Sequence, residues 1–250
     1  MSQDQLKQQV AEVAVELAKT WLRPNDILGV GTGSTVNFFI ELLSREKLEL
    51  RGAFSSSDAS TRALKKIGVD VLDSNCGERA SLYVDGADEI DSNGALIKGG
   101  GGALTREKIV ASLSDRFVCL VDESKVVERL GNFPLPVEVI PMAKASVEAQ
   151  IAQLEGRSRE REGFRTDNGN LILDVESIDL SDPQSVEQAL NNIPGVVENG
   201  VFWANRPTLS LIGRRCGIEV VATAEILRRH ASNLQTIGVC CETVLDPVGA

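Results

Sequence analysis

The chain has 250 residues, 42% of them hydrophobic, and a formal net charge of -10 at pH 7 with a sequence pI near 4.8. This acidity argues against nucleic acid or an anionic membrane as a partner, and no apolar run is long enough to suggest a membrane span. Five cysteines without CxxC spacing, and an N-terminus unlike a secretory signal, lead us to expect reduced thiols and a cytoplasmic protein.

Strand and helix signals alternate through the first half of the sequence, after an amphipathic helical pattern in residues 2–19. Such alternation predicts an α/β fold: a Rossmann-like, mostly parallel sheet with helices on both faces. Strands are predicted at residues 26–30, 52–55, 69–72, 81–85 and 116–121, and helices at residues 35–43, 58–67 and 106–113.

A different pattern follows a cluster of prolines near residue 134. Helices are predicted at residues 143–154 and 181–190, a hairpin at 164–175 around Asp167-Asn168-Gly169, and a strand at 196–203. This order predicts a smaller α+β domain of the ferredoxin-like, split βαβ type. We therefore assign residues 133–206 to the smaller domain, and residues 1–132 with about 207–250 to a catalytic α/β domain.

The end of the chain is less informative. A strand at residues 209–213 is expected to rejoin the first sheet, and a helix is expected through Ile226 and Leu227. The single histidine, His230, cannot build a histidine-rich metal site. The composition allows a magnesium ion bound by carboxylates, but neither a metal nor another cofactor is needed. Nothing in the segment after Gly217 suggests a second activity.

Three loops rich in polar residues and glycine follow predicted strands, at residues 31–35, 85–88 and 122–125. Ligands collect at the carboxyl ends of parallel strands, so these loops are expected to converge on one edge of the sheet. The first offers backbone N–H groups and hydroxyls to an anion, but its spacing matches no dinucleotide or nucleotide-phosphate motif. A capped glycine turn is an equally good interpretation. The first loop reads Gly31, Thr32, Gly33, Ser34 and Thr35.

The acidic segment Asp85-Gly86-Ala87-Asp88-Glu89 holds more carboxylates than the capping of a turn requires. In a sugar site, carboxylates accept hydrogen bonds from hydroxyl groups and move protons between neighbouring oxygens. A solvated acidic turn, or a weak cation site, is the alternative. Residues 55–58, with three serines before Asp58, are more simply a helix cap than a ligand contact.

Lys98 precedes four glycines, Gly99 to Gly102, and Glu107 lies in the first turn of the helix that follows. The lysine can stabilise a developing oxyanion, and the glycine loop allows close approach of a substrate. Glu107 can act as a general base, or it can simply complement the helix dipole. Lys125, after the apolar strand, is either a second lysine directed at the site or a surface ion-pair partner.

Together these blocks resemble the family of ribose-5-phosphate isomerase, type A, from residue 3 to about residue 213. The resemblance rests on five ordered segments: residues 31–35, 55–61, 83–89, 97–108 and 133–139. It implies metal-free, reversible conversion of ribose 5-phosphate to ribulose 5-phosphate through an enediolate, in the non-oxidative branch of the pentose phosphate pathway. It also implies a homo-oligomer, either a dimer or a tetramer, with a small sugar phosphate as the partner.

The same resemblance assigns roles to residues of this chain. Glu107 is the base that moves a proton between C1 and C2, with Asp85, Asp88 and Lys98 around the reacting atoms. Lys7 matches a lysine near the phosphate. The residues implied to bind substrate are Thr32, Gly33, Ser34, Thr35, Asp85, Gly86, Ala87, Asp88, Lys98, Gly99, Gly100, Gly101 and Lys125.

Two departures and two competing functions accompany this interpretation. Glu123 stands where a small residue is expected, and the segment after Gly217 is longer than the family's usual ending. A sugar-phosphate-sensing module of a transcription regulator shares the architecture, but it calls for a DNA-binding domain and a basic face. A CoA-transferase-like enzyme with a glutamate nucleophile is the other alternative, and it would use acyl-CoA.

Overall fold

A computed structural model gives the fold and describes residues 1–223, 225–228 and 239–245. The chain forms two compact units. The larger comprises Met1–Gly86, Ile109–Lys125 and Pro207–Ala250, and the smaller comprises Ala87–Lys108 and Val126–Arg206. Residues 87–108, which the sequence boundary at 132 assigns to the catalytic domain, thus group with the smaller unit.

The secondary structure elements are numbered in chain order. The α-helices are α1 (Gln3–Trp21), α2 (Ser34–Leu43), α3 (Asp58–Lys66), α4 (Leu104–Ser112), α5 (Lys144–Gln153) and α6 (Pro183–Asn191). The strands are β1 (Ile27–Val30), β2 (Gly52–Ser55), β3 (Leu82–Gly86), β4 (Glu89–Ile90), β5 (Leu96–Ile97), β6 (Phe117–Asp122), β7 (Leu135–Val139), β8 (Arg157–Glu160), β9 (Leu171–Glu176), β10 (Val196–Asn199), β11 (Val201–Phe202), β12 (Leu209–Arg214), β13 (Gly217–Thr223) and β14 (Val239–Leu245).

The larger unit is built on a seven-stranded sheet in the order β14-β13-β12-β6-β3-β1-β2. All neighbouring strands are parallel except β12 and β13, which are antiparallel. Every residue of β1 and β6 is buried, as expected of parallel strands with both faces covered. The predicted α/β fold with a mostly parallel sheet is confirmed.

The first helix shows how local sequence sets these elements. The Ser2 hydroxyl accepts from the Gln5 amide at 3.2 Å, and the Gln5 side chain accepts from the Ser2 amide at 2.7 Å, so α1 begins with a capping box. Its apolar residues, among them Leu6, Val10 and Leu17, are buried. None of the described helices combines the length and apolar character needed to cross a lipid bilayer.

The smaller unit contains a four-stranded antiparallel sheet in the order β10-β7-β9-β8. Helix α5 connects β7 to β8, and α6 connects β9 to β10, which gives the βαββαβ order of a split βαβ unit. The predicted ferredoxin-like domain is confirmed. A second small sheet, β11-β5-β4, connects residues 87–108 to this unit, because β5 pairs with β11 and β4 pairs with β5, and neither joins the large sheet.

Three local predictions are corrected. Residues 69–72 form no strand but a single bridge between Val71 and Ala53. The hairpin predicted at 164–175 is formed by β8 and β9, and Asn168 and Gly169 lie in the loop between them. The strand predicted at 196–203 is broken at Gly200, whose N–H donates to Pro136 O and whose carbonyl accepts from Lys98 N.

Candidate active site

Four polar loops lie at one edge of the large sheet. Strands β2, β1, β3 and β6 are adjacent and parallel, so their carboxyl ends share that edge. The loop at residues 31–35 follows β1, Asp85 lies near the end of β3, and residues 123–125 follow β6. Residues 56–57, which follow β2, add a fourth loop to the three that the sequence predicts at this edge.

Asp85 holds the first of these loops in place. Its side chain is fully buried and accepts hydrogen bonds from Thr32 N at 3.0 Å, Gly86 N at 2.7 Å and the Tyr83 hydroxyl. A Cβ at Gly31 would lie 1.9 Å from the Asp85 Cγ, so only glycine permits this close approach. The carboxylate therefore fixes the position of the loop backbone.

Hydroxyl groups support the same loop from the side of β2. The Thr32 Oγ1 lies 2.8 Å from both the Ser56 and Ser57 Oγ atoms, and the Ser60 hydroxyl donates to Gly31 O at 2.5 Å. Ser57 also caps α3, accepting from Ser60 N at 3.1 Å, as the sequence indicates. The link between these serines and Thr32 has no local sequence signal, since it joins residues more than twenty positions apart.

Helix α2 begins at Ser34, with Gly33 as its N-cap residue. Gly33 has a φ of 129°, in the range that favours glycine, and it has no side chain to occupy the first N–H groups of the helix. Gly33 and Ser34 are exposed, whereas Thr35 is buried. The start of α2 thus presents backbone N–H groups that are not capped by the Gly33 position, and such groups can bind an anion.

The loop after β6 is ordered by its aspartate. The Asp122 Oδ1 accepts from Ser124 N at 3.0 Å, and its Oδ2 accepts from the Gln3 side chain at 3.2 Å. Lys125 follows in a short 3-10 turn and is half-buried. Glu123, the departure from the family pattern, lies 3.7 Å from the Arg215 guanidinium.

Lys7, the other lysine implied by the resemblance, is on α1. Its Nζ lies 3.9 Å from the Asp4 carboxylate, and its side chain is largely buried.

In the smaller unit, Asp88 and Lys98 flank the glycine loop. Lys98 N donates to Gly200 O at 2.9 Å, and Asp88 N donates to Ile97 O at 2.8 Å. The Asp88 carboxylate accepts from Gly100 N at 2.7 Å. Because a Cβ at Gly200 would lie 2.2 Å from Lys98 O, this crossing of chains requires glycine. The break in the strand at Gly200 thus allows the hydrogen bond that fixes the backbone of Lys98.

Arg161 orients the glycine loop from its other side. Its guanidinium donates to Gly99 O at 3.2 Å and to Gly100 O at 3.0 Å, while its Nε donates to Asp174 Oδ2 at 2.9 Å. These bonds fix the direction of two peptide groups in the loop. Sequence reasoning missed Arg161, which is separated from the loop by some sixty residues and carries no motif.

The central feature of the smaller unit is a buried ion pair. The Lys98 Nζ lies 3.3 Å from the Glu107 Oε2, and the two side chains are 3% and 5% exposed. Glu107 is in the first turn of α4, and the Lys98 ammonium also lies 5.5 Å from the centre of the Phe202 ring. Burying both charges carries a desolvation cost that a hydrophobic pair would avoid, so stability alone does not account for this arrangement.

Glu89, the fifth acid of the sequence cluster, is used elsewhere. Its carboxylate accepts from Gly131 N at 2.7 Å and Phe133 N at 2.5 Å, and it therefore holds a turn. Over residues 1–223, 225–228 and 239–245, no group of three or more His, Cys, Asp or Glu side chains is arranged to hold a metal ion. His230 lies outside the described residues.

Comparison with known proteins identifies the family. The sequence profile of Ribose 5-phosphate isomerase A (phosphoriboisomerase A) matches residues 53–217. Ribose-5-phosphate isomerase A of Bordetella avium is 52% identical over 218 residues, covering 87% of this chain and 97% of that protein. The enzyme of Bordetella petrii is 51% identical over the same shares of the two chains.

Solved structures that resemble this chain are named for the same enzyme. The crystal structure of ribose 5-phosphate isomerase A from Neisseria gonorrhoeae has a TM-score of 0.83 and 41% identity, covering 88% of this chain and 96% of the other. A D-ribose-5-phosphate isomerase in complex with phospho-erythronic acid has a TM-score of 0.82 and 33% identity, with 88% and 99% covered. The chain belongs to the ribose-5-phosphate isomerase A family, whose members are isomerases.

Proposed function

We propose that this member of the ribose-5-phosphate isomerase A family interconverts D-ribose 5-phosphate and D-ribulose 5-phosphate through an enediolate, with Glu107 as the general base. Family membership supports the substrate, and the buried Lys98–Glu107 pair is the observation that carries the mechanism. A carboxylate and an ammonium held 3.3 Å apart provide the two groups that enolisation needs: a base for a C–H proton and a cation for the oxygen that gains charge.

The proposed steps follow the open-chain sugar. The Glu107 carboxylate takes the proton from C2, the C2–H electron pair forms a C1=C2 double bond, and the carbonyl electrons move to O1. The Lys98 ammonium stabilises the resulting oxyanion. The proton on O2 then passes to O1, the O2 electrons form the new C2 carbonyl, and the C1=C2 electron pair takes the proton from Glu107 to form the new C1–H bond. No atom is gained or lost, so no co-reactant is needed.

Other polar groups are proposed to hold the substrate. The donors at the start of α2 and the half-buried Lys125 suit its phosphate, and the Asp88 carboxylate suits its hydroxyls. Asp85 already binds the loop backbone, so we propose that it acts mainly by orienting Thr32. Apart from Asp85, the substrate contacts proposed are those that the resemblance implies: Thr32, Gly33, Ser34, Thr35, Gly86, Ala87, Asp88, Lys98, Gly99, Gly100, Gly101 and Lys125.

The test is isomerisation of ribose 5-phosphate by the purified protein in excess EDTA, with Glu107→Gln measured beside it. We expect rapid turnover by the wild type and a loss of at least about 10²–10⁴-fold in kcat for the variant, because the amide cannot accept the proton. Glu89→Gln is the matched control: it neutralises a buried carboxylate that holds a turn, and its kcat should stay within about threefold of wild type.

Three outcomes would contradict this proposal. A Glu107→Gln loss below about tenfold would reassign the base. A wild type that binds ribose 5-phosphate but does not convert it would favour a sugar-phosphate sensor. Loss of wild-type turnover on adding EDTA, restored by a divalent cation, would contradict the metal-independent mechanism.

The setting of the enzyme is also a proposal. We propose that it acts in the non-oxidative pentose phosphate pathway and that it is cytoplasmic, as the five cysteines without CxxC spacing indicate. The resemblance implies a homo-oligomer, either a dimer or a tetramer. Light scattering of the purified chain at micromolar concentration would give the number of subunits, and a monomeric mass would contradict the proposed assembly.

A further inference from the structure

A second buried carboxylate lies in the smaller unit, on β7. Glu138 is 0% exposed, and both of its oxygens accept hydrogen bonds. The Thr105 hydroxyl donates to Oε2 at 2.5 Å and the Thr166 hydroxyl donates to Oε1 at 2.8 Å. The Asn168 amide donates at 3.1 and 3.4 Å, and the Asn170 amide at 2.8 Å. Every one of these donors is neutral.

Such a site is costly for stability alone. A carboxylate buried without a cation loses its hydration and regains only part of that free energy from neutral donors, so an apolar residue of similar size would often serve as well. The number of donors does require a carboxylate. Its two oxygens offer about four acceptor positions, whereas glutamine offers a single acceptor oxygen.

Those donors come from two segments that the carboxylate joins. Thr105 is in the first turn of α4, two residues before Glu107, and the other three donors belong to the loop between β8 and β9. Arg106 connects the same two segments, since its guanidinium donates to Asn168 Oδ1 at 2.8 Å and to Asp167 O at 2.7 Å. The start of α4 is therefore tied to β7 and to this loop.

A separate anchor follows Glu107. The Lys108 ammonium, also buried, lies 2.8 Å from the carboxylates of Glu187 and Glu198 and donates to Asn199 O at 2.9 Å. Glu107 thus lies between two anchored positions on one helical turn. The Glu138 carboxylate holds Thr105, two residues before Glu107 in the same turn, and the Lys108 contacts fix the residue that follows.

We infer that Glu138 is a positioning residue for the proposed isomerisation: through Thr105 it fixes the first turn of α4, and with it the approach of the Glu107 carboxylate to Lys98 and the substrate. This inference rests on the proposed function. It follows from the steep dependence of proton transfer on geometry, since a displacement of about 1 Å can cost roughly 10²-fold in rate.

The test compares two variants that each remove one hydrogen bond to Glu138. Thr105→Val removes the bond to α4 without changing the side-chain shape, and Asn170→Ala removes a bond to the loop. We expect both to lower the unfolding midpoint by a similar amount, about 2–4 °C. Thr105→Val should also lower kcat for ribose 5-phosphate at least about tenfold with KM within about threefold, while Asn170→Ala leaves kcat within about threefold.

Two further variants separate positioning from folding. Thr105→Ser restores the hydroxyl and should recover most of kcat. Glu138→Gln, alone and combined with Thr105→Val, should lose kcat to a similar extent, and the double variant should be little worse than either single one because both act through one contact.

The inference is overturned if Thr105→Val keeps wild-type kcat, if Asn170→Ala loses as much kcat as Thr105→Val, or if the Thr105 and Glu138 losses are additive. Wild type and Glu107→Gln in the same series separate this failure from that of the proposed function. An inactive wild type overturns both, whereas an active wild type, an inactive Glu107→Gln and a fully active Thr105→Val overturn only the role of Glu138.

Discussion

The two units hold their key carboxylates in opposite ways. Asp85 in the larger unit accepts from backbone amides and from a tyrosine hydroxyl, and its oxygens are engaged by donors close to the strand that carries it. Glu107 in the smaller unit is paired with a lysine ammonium inside a buried setting. The first arrangement fixes the backbone of a loop, and the second keeps two opposite charges together in a buried setting. The Asp85 carboxylate is thus held by neutral donors, whereas the Glu107 carboxylate lies beside a cation.

The largest expected effect comes from the ion pair. Lys98→Met should lower kcat for ribose 5-phosphate by about 10²–10³-fold, because the oxyanion loses its cation. It should also cost about 3–5 kcal/mol of unfolding free energy, since the buried Glu107 carboxylate loses the ammonium that lies beside it.

The double variant Lys98→Met with Glu107→Gln is the matched control for this prediction. Without either charge it should recover most of the lost stability in urea unfolding while remaining inactive. If Lys98→Met raised only KM, Lys98 would bind substrate without stabilising the oxyanion. If the double variant were as unstable as the single one, the lost stability would not come from the buried Glu107 charge.

A smaller effect is expected in the larger unit. Thr32→Val removes a hydroxyl that contacts Ser56 and Ser57 but keeps the Thr32 N–H that Asp85 accepts. Stability should fall by about 1–2 kcal/mol, and KM for ribose 5-phosphate should rise several-fold with kcat nearly unchanged. Ser44→Ala, which removes an exposed hydroxyl at the end of α2, is the control. A loss of kcat as large as that of Lys98→Met would contradict a role of Thr32 in binding rather than in chemistry.

The smallest effect concerns a carboxylate in the smaller unit away from the glycine loop. Burial raises the pKa of Asp91 above its ordinary value of 3.8, against the opposing hydrogen bonds from Ala95 N and Asn93 N. The folded state therefore binds this proton more tightly than the unfolded state. The stability that Asp91 contributes is fully present below its unfolded pKa and is lost as the pH rises through the folded value.

Asp91→Asn keeps the acceptor oxygen but stays neutral, so it should be more stable than wild type at pH 7 by on the order of 1 kcal/mol or less, with the difference vanishing toward pH 4. Urea unfolding at the two pH values measures this. Turnover should not change. A difference that grew on acidification would mean that the sign of the Asp91 contribution is wrong.

Much of the fold follows from local pattern. The strands β1, β2, β3 and β6 lie within two residues of their predicted ends, because apolar runs bounded by turns report directly on buried parallel strands. The position of β8 was not predicted, because its residues alternate charged side chains with only half-buried ones. The break at Gly200 was missed because it depends on Pro136 and Lys98, which are distant in sequence.

The candidate site likewise contains residues that a local motif predicts and residues that only contacts distant in sequence bring together. Glycine, lysine and acidic residues in short segments point to Asp88, Lys98 and Glu107 because their chemistry is visible one motif at a time. The side chains that orient them are not visible in this way. Arg161 and Glu138 resemble ordinary residues of strands and loops, and their roles depend on partners some thirty to sixty residues away that only the folded chain brings near.

The order of strands in the larger sheet also bears on how the chain is made. Strand β6 pairs with β3 on one side and β12 on the other, and residues 123–208 separate β6 from β12. During synthesis on the ribosome, β6 therefore leaves the exit tunnel long before its second neighbour. Until residue 214 has emerged, an apolar strand has one open edge, and such an edge can pair with another chain. Nascent chains stalled between these points should be the species that most need a chaperone.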